Sequence, residues 1–266
     1  MSVDLDYTPQ FKPGMRPEIQ QFYRPNDRSP WSGNVPDKNA ADIEANSYAQ
    51  ECVLIVHREL HPITNAVSLY SITVQSPLAR KALDKIFQGY KGISTRLKQL
   101  VFEAPFHPFY YRWHRFEQLL RTEQDEETKS HLNLLHSAIS EEIMPHIQTM
   151  EDLTKNDVIT FDHLWAIFVP DTQVYTQIDG QDCLVELMES QYGASMGGEF
   201  FNLEFRYIDC DGSRFGYVSS SLEIDKFDGV KKIVQCVTPG YQARFFLILG
   251  RNMAPCSVFL KIFRKC

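Results

Sequence analysis

The order of hydrophobic periodicities along the chain constrains its fold more than any other feature. Residues 51–57 and 66–74 are rich in β-branched and apolar types, which predicts two strands near the front. Apolar residues then recur at helical spacing between positions 126 and 149, and strand-like segments return after position 170. Strands, then helices, then strands predict an α+β fold with antiparallel sheets, hairpins and a helical segment in the middle, rather than repeated βαβ units.

Start and stop signals place the helices. Ser76 before a proline predicts a helix N-terminus, and Gly89 predicts the end of that helix. A second helix begins near Tyr110, and a third covers about residues 126–149. Pro145 is expected to kink or end this third helix, because proline removes a backbone hydrogen bond and clashes with the preceding turn.

A short apolar helix and two hairpins are predicted after the long helix. Thr160 caps the short helix, in which Phe161, Trp165 and Phe168 fall on one apolar face and act as core anchors. Two Asp-Gly turns then predict hairpins. The paired segments are 173–178 with 183–188, and 200–209 with 214–224, followed by a last short strand at 231–237.

The front of the chain lacks these patterns. Six of the 14 prolines lie between positions 9 and 36, and the apolar residues there follow neither a helical nor a strand period. Residues 1–45 are therefore predicted to be a disordered, proline-rich tail, in which a few aromatic residues could form a short docking motif.

Charge is distributed unevenly. The formal net charge is −7, yet residues 229–266 carry seven Lys or Arg and no Asp or Glu, so the rest of the chain carries −14. An acidic body argues against general nucleic-acid binding. The apolar runs in residues 243–266 are too short to span a bilayer, but this basic end could contact an anionic surface. Six widely spaced cysteines without a C-x-x-C pair predict reduced thiols in an intracellular protein, cytoplasmic or nuclear.

No motif for catalysis, cofactor binding or metal binding is complete. The Gly-rich stretch 193–198 ends in Glu199, where a phosphate-binding loop needs lysine, so it is interpreted as a flexible loop between strands. His57 and His61 have a metalloprotease-like spacing, but their glutamate is misplaced and the context is a strand. Asp209 and Asp211 begin like a calcium loop that lacks its later ligands. We therefore assign no catalytic residue, cofactor or metal ligand from the sequence.

Five segments in order resemble a known family. They are residues 72–83, 102–106, 158–170, 207–216 and 224–229. Together they resemble the DUF7025 domain, which precedes the ATPase module of many filamentous-fungal AAA-type ATPases, and the resemblance covers about residues 50–240. No Walker lysine, Walker acid or arginine finger has a matching position in this chain, so the ATPase activity of that family does not carry over.

The resemblance implies a non-catalytic accessory domain that recruits protein partners or substrates for a motor. We expect a tail over 1–45, a DUF7025-like α+β domain over 46–240, and a basic apolar segment over 241–266 that could be a remnant of a truncated ATPase region. The alternatives are a fragment of a full-length AAA ATPase, an enzyme of unrecognised chemistry, and an adaptor that binds anionic membranes through residues 243–266.

Overall fold

The computed structural model describes residues 10–25, 29–33, 47–60, 66–97, 99–178, 181–210, 212–233 and 246–248. It confirms a mixed α+β fold. The chain divides into two compact units, Met1–Pro145 and His146–Cys266. This division falls inside residues 46–240, which the sequence analysis assigned to one domain.

A four-stranded sheet forms the centre of the first unit. Its strands, in spatial order, are β1 (Arg16–Arg24), β2 (Cys52–Leu60), β3 (Val67–Val74) and β4 (Val101–Glu103). β2 and β3 are the two strands predicted at the front of the chain, and they pair antiparallel. β4 pairs antiparallel with β3 and ends two residues before Pro105.

Strand β1 corrects the prediction of a disordered tail over residues 1–45. It pairs parallel with β2 from Arg16 to Arg24, and its Phe22 side chain is buried. The sequence signal was weak because β1 contains Pro17 and few apolar residues, which is typical of an edge strand. Because its neighbour β2 lies far along the chain, local periodicity could not reveal the pairing.

Four helices accompany this sheet. They are α1 (Ser47–Glu51), α2 (Pro77–Ile86), α3 (His107–Thr122) and α4 (Glu126–Lys155). The predicted cap of α2 is confirmed, because the Ser76 hydroxyl oxygen accepts a hydrogen bond from the backbone N–H of Ala79. α4 continues through Pro145 to Lys155, so the expectation that Pro145 could end it is wrong. Buried residues on both sides of the proline, such as Ile143 and Met150, hold the helix in place.

The core of the first unit is mainly aromatic and aliphatic. Phe87, Phe102 and Phe109 pack edge to face or tilted, with ring centroids 4.6 to 5.6 Å apart. The apolar stripe predicted for α4 is buried at Leu132, Leu135, Ile139 and Ile143.

The second unit begins with the last turns of α4, which are followed by a short strand and a tight turn of helix. β5 (Val158–Thr160) leads into a 3₁₀ turn (Phe161–His163) and α5 (Leu164–Ile167). The single α-helix predicted there is therefore split, and the Thr160 side chain contacts His163 rather than capping a backbone N–H. Phe161, Trp165 and Phe168 are buried, which fits their predicted role as core anchors.

A five-stranded antiparallel sheet follows. Its strands, in spatial order, are β11 (Phe246–Ile248), β6 (Gln173–Ile178), β7 (Gln181–Ser195), β8 (Gly198–Cys210) and β9 (Phe215–Asp225). The pairs β6–β7 and β8–β9 are the two predicted hairpins. The residues of the two Asp-Gly turns lie partly outside the described residues.

The stretch 193–198 is a hairpin turn rather than a flexible loop. β7 runs to Ser195 and β8 begins at Gly198, so only two residues connect them. A Cβ at position 193 would lie 2.6 Å from the ring of Phe200, so a larger residue there would require that ring to move.

The end of the chain is described only in part. β10 (Val230–Lys232) pairs antiparallel with β5 and forms the first part of the strand predicted at 231–237. Within the basic segment 241–266 the structure describes only β11, and the rest of that expectation lies outside the described residues. Over the described ranges, no helix is both long and apolar enough to cross a membrane.

Candidate protein-interaction surface

Strand β9 forms one edge of the five-stranded sheet. Its inner side pairs with β8 over eleven consecutive residue pairs, from Phe200 with Asp225 to Cys210 with Phe215, without a register shift. No described strand pairs with its outer side. Every residue from Phe215 to Ser221 is exposed. An edge of this kind presents backbone N–H and C=O groups to which another strand can pair.

An apolar patch lies at the turn end of this hairpin. Phe215, Tyr217 and Ile208 are 81%, 67% and 62% exposed. Ile208 lies directly opposite Tyr217 in the register, so these two side chains share one face of the sheet. Phe215 lies two residues from Tyr217 on that same face. Contiguous exposed apolar side chains of this size are typical of interaction sites.

The features that normally protect an edge strand are absent from this part of β9. Residues 215–222 contain no proline and no charged residue, and three consecutive serines occupy the middle, Ser219 to Ser221. The charges within β9 are the acidic Glu223 and Asp225 at its far end. Proteins that avoid edge pairing place lysine, proline or a bulge there.

The opposite half of the hairpin is fixed to the core of the second unit. Phe201, Leu203 and Phe205 are buried on β8, and Ile224 is buried at the end of β9. On the other face of the sheet, Arg206 donates to Glu186 of β7. The Arg206 guanidinium also lies 4.7 Å from the Tyr217 ring centroid. The edge is therefore held in place by packing and by an ion pair.

The first unit contains a separate cleft of about 620 Å³. Phe22, His57, Ser71, Thr73 and Arg80 are among the residues that line it. His57 Nδ1 lies 3.2 Å from Ser71 Oγ, and the His57 ring contacts the ring of Phe22. Its walls therefore combine polar and aromatic side chains.

A second Ser–His pair is structural. Ser76 Oγ lies 2.8 Å from Nδ1 of His131, and both side chains are almost completely buried. Burial lowers the pKa of His131, because desolvation disfavours the imidazolium. The hydroxyl therefore donates to a neutral imidazole while it caps α2. A nucleophile with no access to solvent cannot serve a substrate, so we assign this pair to the core.

The cysteines and acidic turns considered from the sequence form no site among the described residues. Burial raises the pKa of Cys52 to about 11, which keeps it a protonated thiol. Cys210 is exposed at the end of β8, beside Asp209. His61 and Asp211 lie outside the described residues. Within the described part of the chain, no three His, Cys, Asp or Glu side chains converge as metal ligands.

Comparison with known families identifies the region that carries the β9 edge. Residues 149–235 match the family described as Domain of unknown function (DUF7025). The chain carries a DUF7025 domain. Strands β5 to β10 all fall within the matched residues of the DUF7025 domain, so the exposed edge belongs to it. No curated protein and no solved structure matches the chain.

The β8–β9 hairpin could be predicted from the sequence, but its exposed edge could not. The hairpin was visible because Asp-Gly and alternating residues are local signals. Edge position depends on what lies beside β9, which a local pattern cannot show. One available signal was the uncharged, proline-free run at 215–222, which is unusual for a strand with a solvated edge.

Proposed function

We propose that this chain is a non-catalytic protein-interaction domain, and that strand β9 binds an extended segment of a partner protein by β-strand addition. The observation that carries the proposal is the exposed outer edge of β9 over residues 215–222, with neither charge nor proline. In strand addition, main-chain hydrogen bonds supply affinity, and alternate side chains supply specificity.

The surroundings of β9 define the chemistry of the partner segment. Phe215, Tyr217 and Ile208 favour apolar side chains at the turn end of the hairpin. Glu223 and Asp225 are exposed at the other end and favour a basic side chain there. The partner is thus an extended, proline-free segment that is apolar at one end and basic at the other.

The resemblance to the N-terminal domains of fungal AAA-type ATPases suggests a purpose for this binding. We propose that the DUF7025 domain recruits substrates or partners for such a motor. The absence of a matching Walker motif from the sequence supports a recruiting role rather than a catalytic one.

A display experiment tests the proposal. A library of random ten-residue peptides is selected against the full chain, and enriched peptides are synthesised and titrated by fluorescence anisotropy. We expect enrichment of proline-free sequences that bind the wild-type chain. Ser219→Lys combined with Ser221→Lys should weaken binding at least tenfold, since lysine on an edge strand hinders pairing.

The control is the double variant Gln191→Lys, Glu204→Lys, which places lysines at exposed positions of the interior strands β7 and β8. It should bind enriched peptides within twofold of wild type. If no peptide is enriched, or if both double variants bind equally well, the proposal is wrong. If sedimentation velocity shows that β9 pairs with a second copy of the chain and excludes peptide, the partner assignment is overturned.

A further inference from the structure

Two histidines of the second unit meet outside the β9 surface. His146 lies on α4 and His163 ends the 3₁₀ turn, and both side chains are half-buried. Nδ1 of His146 lies 3.5 Å from Nε2 of His163, and the two rings are inclined at 61°. The two positions are 17 residues apart in the chain, so no local motif joins them.

Neighbouring groups hold both rings in place. Thr160 Oγ1 lies 2.8 Å from Nδ1 of His163, and the edge of Trp165 packs against His146 at a centroid distance of 5.5 Å. When Nδ1–H of His163 donates to Thr160, its Nε2 keeps a lone pair that faces His146. An oriented hydrogen bond on the far nitrogen is what metal-ligating histidines normally have.

The protonation state also suits ligation. Burial lowers the pKa of His163, and the adjacent His146 lowers it further. Neutral imidazole is the form that binds metals. The exposed Asp162 carboxylate next to His163 acts to raise the pKa of His163, because it adds negative potential at the imidazole.

We propose that the imidazole nitrogens of His146 and His163 bind one divalent transition-metal cation, with zinc as the reference ion. Two nitrogens at about 2.1 Å from a tetrahedral zinc ion lie about 3.4 Å apart, close to the distance between these two. Small rotations of the rings direct both lone pairs at a common point. A bound cation replaces the His–His hydrogen bond and links α4 to the turn before α5.

The affinity of the site follows from its ligand number. No third His, Cys, Asp or Glu of the described residues joins the pair, so water fills the remaining coordination positions. We expect micromolar affinity for zinc, and no measurable binding of magnesium, which prefers oxygen ligands. Because protons compete for the same nitrogens, zinc affinity should fall at acidic pH.

Isothermal titration of the full chain with zinc chloride, under reducing conditions, tests this proposal. Two-dimensional proton–nitrogen spectra of the imidazoles run in parallel and report which histidines respond. We expect zinc to shift the signals of His146 and His163. His146→Gln and His163→Gln should each weaken binding at this site at least tenfold, while His114→Gln, which removes an exposed imidazole of α3, leaves it unchanged.

Thr160→Val separates metal ligation from fold stability. This change keeps both imidazoles and removes the hydroxyl partner of His163, so zinc affinity should fall several-fold while the circular dichroism spectrum is unchanged. The proposal is overturned if zinc leaves the His146 and His163 signals unmoved. It is also overturned if folded His146→Gln or His163→Gln protein retains wild-type affinity at that site.

Discussion

Strands β1 and β9 both form the edge of a sheet, but the described residues add a further segment to the outer side of β1 and none to that of β9. The outer side of β1 receives residues 29–33, where Tyr23 and Ser32 exchange two backbone hydrogen bonds of 2.7 and 2.8 Å. β9 pairs with no described residue on its outer side. Among the described residues, the chain therefore covers the edge of β1 at Tyr23 and leaves the outer side of β9 open.

The side chains of the two strands also differ: those of β1 discourage edge pairing, and those of β9 permit it. β1 contains Pro17 and several charges, and its Arg16 donates to Glu51 from both Nε and Nη2, at 3.0 and 2.8 Å. β9 carries serines and exposed aromatic residues. Proline and charge discourage edge pairing, whereas an uncharged edge permits it. The comparison supports a structural role for β1 and fits the binding role proposed for β9.

The largest expected effect comes from breaking the anchor of β1. Glu51→Ala leaves the buried Arg16 guanidinium without the Glu51 carboxylate. The backbone N–H of Gln10 also loses the Glu51 oxygen that accepts its hydrogen bond. We expect the free energy of unfolding of the first unit to fall by about 3–5 kcal/mol. Urea titration followed by hydrogen exchange of β1 and β2 amides measures this loss of stability.

Glu117→Ala, which breaks the exposed pair with Arg121, is the control and should lower the free energy of unfolding by about 0–1 kcal/mol. Equal losses in both variants would refute the structural role of β1.

A smaller effect is expected when the cover over β1 is trimmed. The Trp31 ring lies 4.5 Å from the Arg24 guanidinium and 4.5 Å from the His57 ring. Trp31→Ala should lower the free energy of unfolding by about 1–2 kcal/mol, because it removes one cation–π contact and the ring contacts with His57 and Tyr70. Leu97→Ala, at an exposed loop position, should change it by less than about 0.5 kcal/mol. A neutral Trp31→Ala would show that residues 29–33 do not stabilise the edge.

Trimming the patch on β9 should change binding but leave stability unchanged. Phe215 is exposed at the start of β9, so Phe215→Ser should alter the free energy of unfolding by less than about 0.5 kcal/mol. It should weaken binding of enriched peptides about fivefold, as measured by fluorescence anisotropy. Met196→Ser, at the exposed β7–β8 turn, is the matched control and should leave binding unchanged. A large loss of stability in Phe215→Ser would mean that this residue supports the fold.

Acid should weaken both units gradually. Burial lowers the folded-state pKa of His131 and His136 in the first unit and of His163 in the second. The unfolded chain therefore binds more protons below pH 6.5, and stability should be constant just above that pH and decline below it. Urea midpoints between pH 5 and 8 measure this effect. His131→Asn should flatten the pH dependence of the first unit. A stability that rises on acidification would contradict the assignment of neutral histidines.

The sequence could predict features that depend on local signals. The Ser76 cap, the helical stripe of α4 and both hairpins were visible because each depends on residues within a few positions. Features that depend on distant partners were not visible. The parallel pairing of β1 with β2 joins segments more than thirty residues apart, and the Arg16–Glu51 pair spans 35 positions.

The candidate site on β9 could likewise be predicted from the sequence only in part. The composition of residues 215–222 could be read from the chain, but their exposure and the open outer side of β9 depend on the order of strands in the sheet. Pro145 is a further case, since burial of residues on both sides of it keeps α4 continuous despite the local penalty.

Amide hydrogen exchange with and without a saturating enriched peptide tests the central claim most directly. The account predicts that peptide slows exchange across residues 215–222 of β9 and leaves residues 16–24 of β1 unchanged, because a strand added to β9 takes up its outward amides. Unchanged exchange in β9 under saturating peptide, with protection appearing elsewhere in the chain, would contradict the claim that this edge is the binding surface.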